Sequence, residues 1–453
     1  MTNSTPEPPK PSEEAAPVFG SVSDTMQPKS PPPGCPAHSA PAAPSATAGL
    51  TPLISATGAP DHRVVYRRLR AEQGPVARVE LEPGVGAWLV MGYRELLTIT
   101  RDERTFVHDA RNWKDLQDGV VPANSGLLPM MGWRANVIGA DGETHRRLRR
   151  PLDEGVAHID QRKIRREVET LCAELVAGFS ARGSADLIGE YAAVIPMLAL
   201  ASLFGLDREG GYELRRALIA LFGSQDDSQA GNRQFEEILL DLLRTRAADP
   251  QDDRDDLTGI FLRHEALETE AERLQSIVVM ISAANETVTA WIAHTLRFLL
   301  TDPRFSAQLR GGSLGVDDAL DEALWRDPPM NVMPARYALQ DTELGGQQIR
   351  KGDVLLLGLG AVVDDPMMQT GNGPVAEPGS RAHLAFAAGP HSCPARVPAR
   401  LITRAAVSTV LNLLPDIHLS IPAEQLTWLP SPWTRVPTAL PVEFASVTAL
   451  QKV

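Results

Sequence analysis

The chain contains few cysteines: there are three among 453 residues, Cys35, Cys172 and Cys393. They stand far apart, without a C-x-x-C pair or the cysteine and histidine spacing of a zinc site, so they exclude a disulfide framework and a structural zinc centre. An iron–sulfur cluster held by several cysteines is excluded in the same way. Such cysteine usage is typical of a reducing compartment, and we expect a cytoplasmic protein.

The chain also lacks an excess of basic residues. Its 44 Lys and Arg residues stand against 57 Asp and Glu residues, which gives a formal net charge of −13. Nucleic acid and other polyanions are therefore not expected as partners. No stretch approaches roughly 18 uninterrupted apolar residues, and no basic segment precedes an apolar one at the N-terminus. We expect neither membrane insertion nor export.

A change in composition divides the chain near residue 58. Residues 1–58 are rich in Pro, Ala and Ser, so they cannot bury enough apolar surface to offset the entropy of ordering. We expect a disordered or loosely attached tail there, followed by one folded domain over residues 59–453. In that domain helical spacing of apolar residues outweighs strand-like alternation, which predicts a mainly α fold with small β-sheets.

The most informative predicted helix runs from about residue 268 to residue 300. At 1.5 Å per residue it would span roughly 45 to 50 Å, so it must cross the core of the domain. Its centre is apolar except for AANETVT, where Ala283 and Ala284 precede Glu286 and Thr287. A carboxylate in that setting is unfavourable unless it is paired, hydrated or functional. Glu286 is therefore either part of a buried ion pair or cap, or one half of a proton-handling pair with Thr287.

The third cysteine lies in HLAFAAGPHSCPARVPAR, residues 383–400. The prolines after Cys393 indicate that a helix begins no later than Val397 or Pro398, because proline is tolerated only in a first turn. The positive end of that helix is expected to lower the pKa of the Cys393 thiol. As a hydrolytic nucleophile, Cys393 lacks a convincing His–Asp partner set.

These two segments together resemble those of the soluble bacterial cytochromes P450. The haem-ligand loop of that family reads roughly F-x-x-G-x-H-x-C-x-G, and the chain matches it at Phe386, Gly389, His391 and Cys393. It departs from the family with alanine at 387 and 395 and with proline at 394. The family pattern A-G-x-E-T of the central helix is similar to the segment from Ala283 to Thr287.

The resemblance implies a cytochrome P450 fold, which is a helical prism around a buried haem with a long central helix. It implies haem b as cofactor, Cys393 as the axial thiolate ligand of the iron, and Ala283, Phe386 and Gly389 beside the haem. Glu286 and Thr287 would deliver protons during oxygen activation. Four residues occupy positions from which family members reach the haem propionates: His145, Arg149, Arg336 and His391.

One family motif is incomplete in this chain. The E-x-x-R pair, which braces the proximal side of the haem, falls at EALWRDPP, where Glu322 is followed three places on by Trp325. Arg326 lies four residues after Glu322 and can form an i,i+4 pair. Alternatively, Trp325 fills the space of the arginine and donates its indole N–H. The segment is similar to that of a subset of actinobacterial relatives with tryptophan in place of the arginine.

Three functions are compatible with the resemblance. The first is a monooxygenase that hydroxylates or epoxidises a sizeable, partly aromatic natural product under a loop formed by residues 106–143. The second uses the same haem for oxidative C–C or C–N coupling of aromatic substrates such as indole-containing cyclic dipeptides. The third is a non-catalytic haem sensor or partner protein. Because the chain has no flavin-type or iron–sulfur segment, the two enzymatic functions require a separate ferredoxin and ferredoxin reductase.

Overall fold

The computed structural model describes residues 47–221, 225–249, 251–303, 305, 315–368, 380–414 and 416–446. Most of the predicted tail, including Cys35, lies outside the described residues. The other two cysteines are free, and Cys172 is buried on α7 as a small apolar side chain.

The described chain is mainly helical, as the apolar spacing predicts. The helices, in chain order, are α1 Leu53–Thr57, α2 His62–Gln73, α3 Tyr93–Arg101, α4 Lys114–Gln117, α5 Leu128–Met131, α6 Gly142–His158, α7 Gln161–Phe179, α8 Ile195–Leu203, α9 Arg208–Leu221, α10 Gln225–Ala247, α11 Leu257–Arg263, α12 Glu270–Thr301, α13 Val316–Arg326 and α14 Arg396–Leu413.

Short strands form three small sheets. The strands are β1 Thr51–Pro52, β2 Val76–Glu82, β3 Val85–Val90, β4 Phe106–Val107, β5 Ser184–Asp186, β6 Met333–Ala338, β7 Thr342–Leu344, β8 Gln347–Ile349, β9 Val354–Leu357, β10 His418–Leu419 and β11 Pro441–Glu443. The largest sheet has the order β1-β2-β3-β9-β6-β4, and the others pair β10-β11-β5 and β7-β8. The central strands β3 and β9 are buried along their whole length, as their continuous apolar sequences require.

Helix α12 crosses the core, as its length predicts. It begins where Thr269 Oγ1 accepts the N–H of Glu272 at 3.1 Å, with two acidic residues in its first turn. Ile277 packs against the cluster of α9, α10 and α11, while Trp291 packs against α7, α8 and α14. α12 has the length and apolar composition of a membrane span, but 61% of its most apolar window is buried inside the protein. It is therefore a core helix.

The centre of α12 interrupts this burial. Ile281 and Val288 are buried, whereas Ser282 and Ala283 between them are exposed. Exposure of small residues in the middle of a core helix indicates an open space inside the domain. The open space lies at the segment that carries Glu286 and Thr287.

Regular secondary structure is present in the described residues before residue 59. β1 pairs in parallel with β2, and Leu53 on α1 is fully buried. Composition does not reveal these elements, because a two-residue strand and a single buried leucine carry little apolar pattern.

The burial of Leu53 predicts that Leu53→Ala lowers the free energy of unfolding by about 2–5 kcal/mol, because the substitution removes a fully buried side chain. Ile54→Ala is the matched control: Ile54 is 45% exposed, so we expect a change within about 0.5 kcal/mol. Denaturant unfolding of the two variants provides the measurement. If both variants changed the free energy of unfolding by the same small amount, residues 53 and 54 would not be packed against the folded domain.

Candidate active site

The cysteine loop, residues 383–395, leads directly into α14. The N–H of Cys393 donates to the carbonyl of Phe386 at 2.9 Å, and the N–H of Ser392 donates to Gly389 at 3.0 Å. The Cys393 sulfur accepts the N–H of Ala395. α14 begins at Arg396, within the limit that the prolines predict. The loop therefore holds a free, half-buried thiol at the start of a helix.

The pKa of this thiol differs from the expectation. Burial raises the pKa of Cys393 above its ordinary value, although the N–H of Ala395 and the charges of Arg149 and Arg396 act in the opposite direction. The predicted net lowering by the helix terminus is therefore wrong for the protein alone, because desolvation of the sulfur is the larger effect. A thiolate at this position needs a further positive partner.

Two residues of the loop adopt left-handed backbone conformations. Gly389 has φ 72°, and a Cβ there would lie 1.9 Å from the carbonyl oxygen of Thr100. Glycine is therefore required at 389 to let the loop pass α3. Ala387 has φ 55°, a region that favours glycine. The family glycine that the chain lacks at 387 thus leaves a strained alanine.

Arg149 on α6 binds the main chain of the cysteine loop. Its guanidinium donates to the carbonyls of Pro390 at 3.0 Å and Ser392 at 2.7 Å, and its Nε donates to Asp153 at 2.7 Å. The structure therefore places Arg149 beside the predicted ligand. Its role toward a propionate stays a prediction, since its N–H groups are directed at the loop.

Two other predicted propionate-side residues, His145 and His391, lie in a histidine cluster together with His108. The ring of His391 is stacked between the other two, at centroid distances of 3.4 Å to His108 and 3.7 Å to His145. Burial lowers the pKa of all three imidazoles. Arg336 lies near the cluster and is 1% exposed, and burial lowers its pKa to about 10. His108 was missed by sequence reasoning because no motif marks it.

The donor atoms of this region fit the carboxylates of a haem. Arg336 Nη2, His145 Nδ1 and His391 Nε2 are buried without a hydrogen-bond partner, and buried polar atoms are normally satisfied. Glu103 offers a ligand atom within 4.8 Å of those of His145 and His391, a spacing that a metal ion can use. A metal ion would not attract the guanidinium of Arg336, whereas two carboxylates would. The exposed small residues at the centre of α12 suit the apolar body of a macrocycle.

Glu286 and Thr287 are half-buried at this centre. Glu286 Oε1 accepts a hydrogen bond from Thr434 Oγ1 at 2.8 Å, while Thr287 Oγ1 donates to the carbonyl of Ala283 at 2.7 Å. Among the alternatives drawn from the sequence, a buried ion pair at Glu286 is absent from the described residues, and the carboxylate has a hydroxyl partner instead. Thr434 was not found from sequence, because it lies about 150 residues away with no motif of its own.

Both alternatives for the incomplete E-x-x-R motif occur. Arg326 Nε lies 2.5 Å from Glu322 Oε1 and pairs with it across one helical turn of α13. Trp325 is buried, donates its indole N–H to the carbonyl of Ser380 at 2.9 Å and packs edge-on against His383 of the cysteine loop. Trp325 therefore connects α13 to the chain just before the loop.

A second connection joins α13 to α14 through Asp321, the residue before Glu322. Sequence reasoning missed this residue. Asp321 is 4% exposed and binds both guanidinium nitrogens of Arg400 on α14. Arg400 also donates to the carboxylate of Asp317 at 3.1 Å, and Arg381 Nε lies 3.8 Å from Asp321. The adjacent DE in the sequence is the available signal, since Asp321 points about 100° away from Glu322 around the helix.

No family model matches the chain. It is 28% identical over 382 residues to a 2-hydroxy-5-methyl-1-naphthoate 7-hydroxylase of Streptomyces carzinostaticus, covering 79% of this chain and 89% of the relative. It is 29% identical over 377 residues to a biflaviolin synthase of Streptomyces coelicolor, covering 82% and 90%.

Solved structures show the same fold. A cytochrome P450 structure from Streptomyces coelicolor aligns with a TM-score of 0.74 and 28% identity, over 87% of this chain and 99% of that one. A cytochrome P450 for C–S bond formation in chuangxinmycin biosynthesis aligns with a TM-score of 0.75 and 24% identity, over 88% and 98%. The predicted cytochrome P450 fold is confirmed. The predictions of a P450 monooxygenase-type oxidoreductase and of haem b with a cysteine thiolate ligand are confirmed by these relatives.

The strained alanine predicts a stabilising substitution. Ala387→Gly removes a left-handed alanine and should raise the free energy of unfolding by about 1 kcal/mol. Ala388→Gly, one residue further on and without a positive φ, should lower it by a few tenths to about 1 kcal/mol through added unfolded-state entropy. Denaturant midpoints of the two variants decide the matter; equal losses would contradict a left-handed backbone at 387.

The Asp321–Arg400 pair predicts strong coupling. Arg400→Gln should lower the free energy of unfolding by about 3 kcal/mol, because it removes both hydrogen bonds that the buried Asp321 carboxylate accepts from Arg400. Asp321→Asn should lower it by about 1–3 kcal/mol, since Arg400 keeps its contact with the Asp317 carboxylate. The double variant should lose about 1–2 kcal/mol less than the sum of the two. Arg404→Gln breaks a half-exposed pair with Asp317 and serves as the control, with an expected loss below about 1 kcal/mol. If the double variant lost as much stability as the two single variants together, the Asp321–Arg400 pair would contribute no coupling between α13 and α14.

Proposed function

We propose that the chain holds haem b through Cys393 and oxidises a sizeable, partly aromatic natural-product-like molecule by hydroxylation or epoxidation. One observation carries this proposal: the protein combines three features. These are the half-buried thiol of Cys393, buried nitrogen atoms without a hydrogen-bond partner, and an open space beside the centre of α12. When bound, haem supplies the redox chemistry that activates dioxygen, and a thiolate ligand favours O–O cleavage.

The residues around the cysteine loop bind and orient this group. Arg336 would neutralise propionate charge, and His145 and His391 would hydrogen-bond to the propionates as neutral imidazoles. All three carry buried nitrogen atoms without a hydrogen-bond partner, and Asp141 Oδ1 lies 3.8 Å from His391 Nε2. Arg149 fixes the two carbonyls that precede Cys393 and so sets the position of the sulfur. Phe386, which packs edge-on against Trp291 of α12, and Gly389 let the loop lie close to the macrocycle. Ala283 leaves room on the opposite helix.

Glu286 and Thr287 handle protons at the carboxylate and hydroxyl oxygens of α12. The Thr287 hydroxyl donates to the carbonyl of Ala283 in its own helix. Its oxygen lone pairs are therefore available to accept a hydrogen bond from another proton donor. Glu286 is the adjacent acid. A pair of this kind contributes about 100-fold or more when it supplies protons in the rate-limiting step.

The substrate class is inferred from relatives and from the loop over residues 106–143. One relative is named a hydroxylase of a methylated hydroxynaphthoate. In the loop, Trp133 is 42% exposed and lies under Arg111 at 4.4 Å, whereas Trp113 is buried in the core beside the large sheet. Trp133 is therefore the aromatic side chain available to a flat substrate.

Oxidative coupling is the second candidate function. It is favoured by the relative named as a biflaviolin synthase, since that name describes a product made of two flaviolin units. A non-catalytic haem sensor is the weaker alternative, because the relatives are named as enzymes and Glu286 and Thr287 are both present.

Electrons would come from a separate ferredoxin and its reductase in the cytoplasm. Among the arginines of α14, Arg400 is engaged with Asp321 and Arg404 with Asp317. Arg396 and Val397 are exposed at the start of the helix, next to Cys393. We therefore place ferredoxin docking at Arg396. We also assign the chain to a subset of these proteins in which tryptophan replaces the E-x-x-R arginine.

Labelled oxygen distinguishes the two enzymatic functions. The haem-loaded protein, with a plant-type ferredoxin and reductase, is given 2-hydroxy-5-methyl-1-naphthoate under oxygen-18 gas. A product with one heavy oxygen atom is expected for hydroxylation, whereas an unlabelled dimer would favour coupling.

Glu286→Gln should slow product formation by about 100-fold, while Thr287→Ser, which keeps the hydroxyl, should remain close to the wild type. Equal rates in the wild type and Glu286→Gln would contradict the proton-handling role.

A further inference from the structure

We propose that His108 and Asp141 are positioning residues for haem. Asp141 orients the ring of His108, and His108 fixes the plane of the His391 ring that meets a propionate. This role rests on the proposed function, in which His391 hydrogen-bonds to a propionate of the bound haem. Neither His108 nor Asp141 belongs to a family motif recognised in the sequence, and both act through His391.

The histidine cluster joins three separate segments of the chain. His108 directly follows strand β4, His145 lies near the start of α6, and His391 belongs to the cysteine loop. The ring of His391 lies between the other two rings, at interplanar angles of 25° to His108 and 26° to His145. Nearly parallel contacts on both of its faces hold this ring in one plane, which the loop alone would not fix.

The rings of the histidine cluster are uncharged near neutral pH. Burial lowers the pKa of all three imidazoles, and the charge of the buried Arg336 acts in the same direction on His108 and His391. Neutral rings stack favourably, whereas two charged rings at this distance would repel each other. A hydrogen bond to a neutral ring, and not an ion pair, therefore has to orient the outer ring of His108.

Asp141 provides this hydrogen bond. It occupies the N-cap position of α6, yet among the described residues its carboxylate accepts no N–H of that helix. The carboxylate instead accepts the main-chain N–H groups of His108 at 3.0 Å and Asp109 at 3.2 Å, and its Oδ1 lies 3.1 Å from His108 Nδ1. Because an ionised carboxylate only accepts, His108 donates through Nδ1, and this bond sets both its tautomer and its orientation.

The cluster leaves a nitrogen of His391 available for haem. Nε2 of His391 is buried without a hydrogen-bond partner, and the 3.8 Å that separate it from Asp141 Oδ1 exceed a hydrogen-bond distance. Buried polar atoms are normally satisfied, so a partner is expected at this nitrogen. Because the ring is already held in its plane, it can donate to a propionate oxygen without losing further rotational freedom.

The test measures haem loss from the haem-loaded full chain, as the rate of haem transfer to an excess of apomyoglobin. His108→Ala should release haem about tenfold faster or more than the wild type, because the His391 ring loses its support. His108→Phe keeps a flat ring against His391 and should release haem more slowly than His108→Ala. Asp141→Ala should accelerate haem loss by about threefold or more, and it serves in case His108→Ala does not fold.

His264→Ala is the matched control. The side chain of His264 is 8% exposed, against 9% for His108, and it lies 3.2 Å from a carboxylate oxygen of Glu154, but it is outside the histidine cluster. We expect wild-type haem loss in this variant. A second measurement separates positioning from a merely structural role: added to His391→Ala, His108→Ala should change haem loss by less than about threefold, because the ring that it positions is already absent.

The outcomes separate the positioning role from the proposed function. If the wild type binds no haem, the proposed function fails, and the positioning role with it. If the wild type holds haem but His108→Ala matches His264→Ala, or if its effect is as large in His391→Ala as in the wild type, the positioning role is overturned. Faster haem loss in His108→Ala and Asp141→Ala, with little further effect in His391→Ala, supports it.

Discussion

The candidate site depends on the half-buried sulfur of Cys393, whose pKa the surrounding protein raises. Desolvation raises the pKa of Cys393 more than the N–H of Ala395 and two nearby arginines lower it. A thiolate ligand at this site therefore forms together with cation binding, as in other metal centres where ligand deprotonation and metal binding are coupled. The protein supplies position, and the iron of a bound haem would supply the remaining charge stabilisation.

Position is supplied from several elements at once. Arg149 fixes the loop carbonyls, Gly389 lets the loop pass α3, and α14 begins directly after the loop. Two further contacts join α13 to the segments on either side of the cysteine loop. Trp325 links α13 to Ser380, shortly before the cysteine loop. The Asp321–Arg400 pair links α13 to α14. In this chain, α13 is therefore linked to Ser380 and to α14 with tryptophan at position 325, where the E-x-x-R motif has arginine.

Sequence reasoning succeeded where local pattern carries the information. The core helix, the helix after Cys393 and the mainly α fold follow from apolar spacing and from proline positions. Arg326 was paired correctly with Glu322 because i,i+4 spacing is a local rule. It failed where tertiary context decides. The packing of Leu53, the sign of the Cys393 pKa shift and the contacts made by Thr434, His108 and Arg400 depend on what other segments place nearby.

The central claim is that Cys393 ligates haem as a thiolate in spite of its unfavourable burial. The most direct test is the absorption spectrum of the purified, haem-loaded protein after reduction and exposure to carbon monoxide, compared with Cys393→Ser. We predict a strongly red-shifted Soret band in the wild type that is absent in the variant. A wild-type band at the position typical of histidine or protonated thiol ligation would contradict the account.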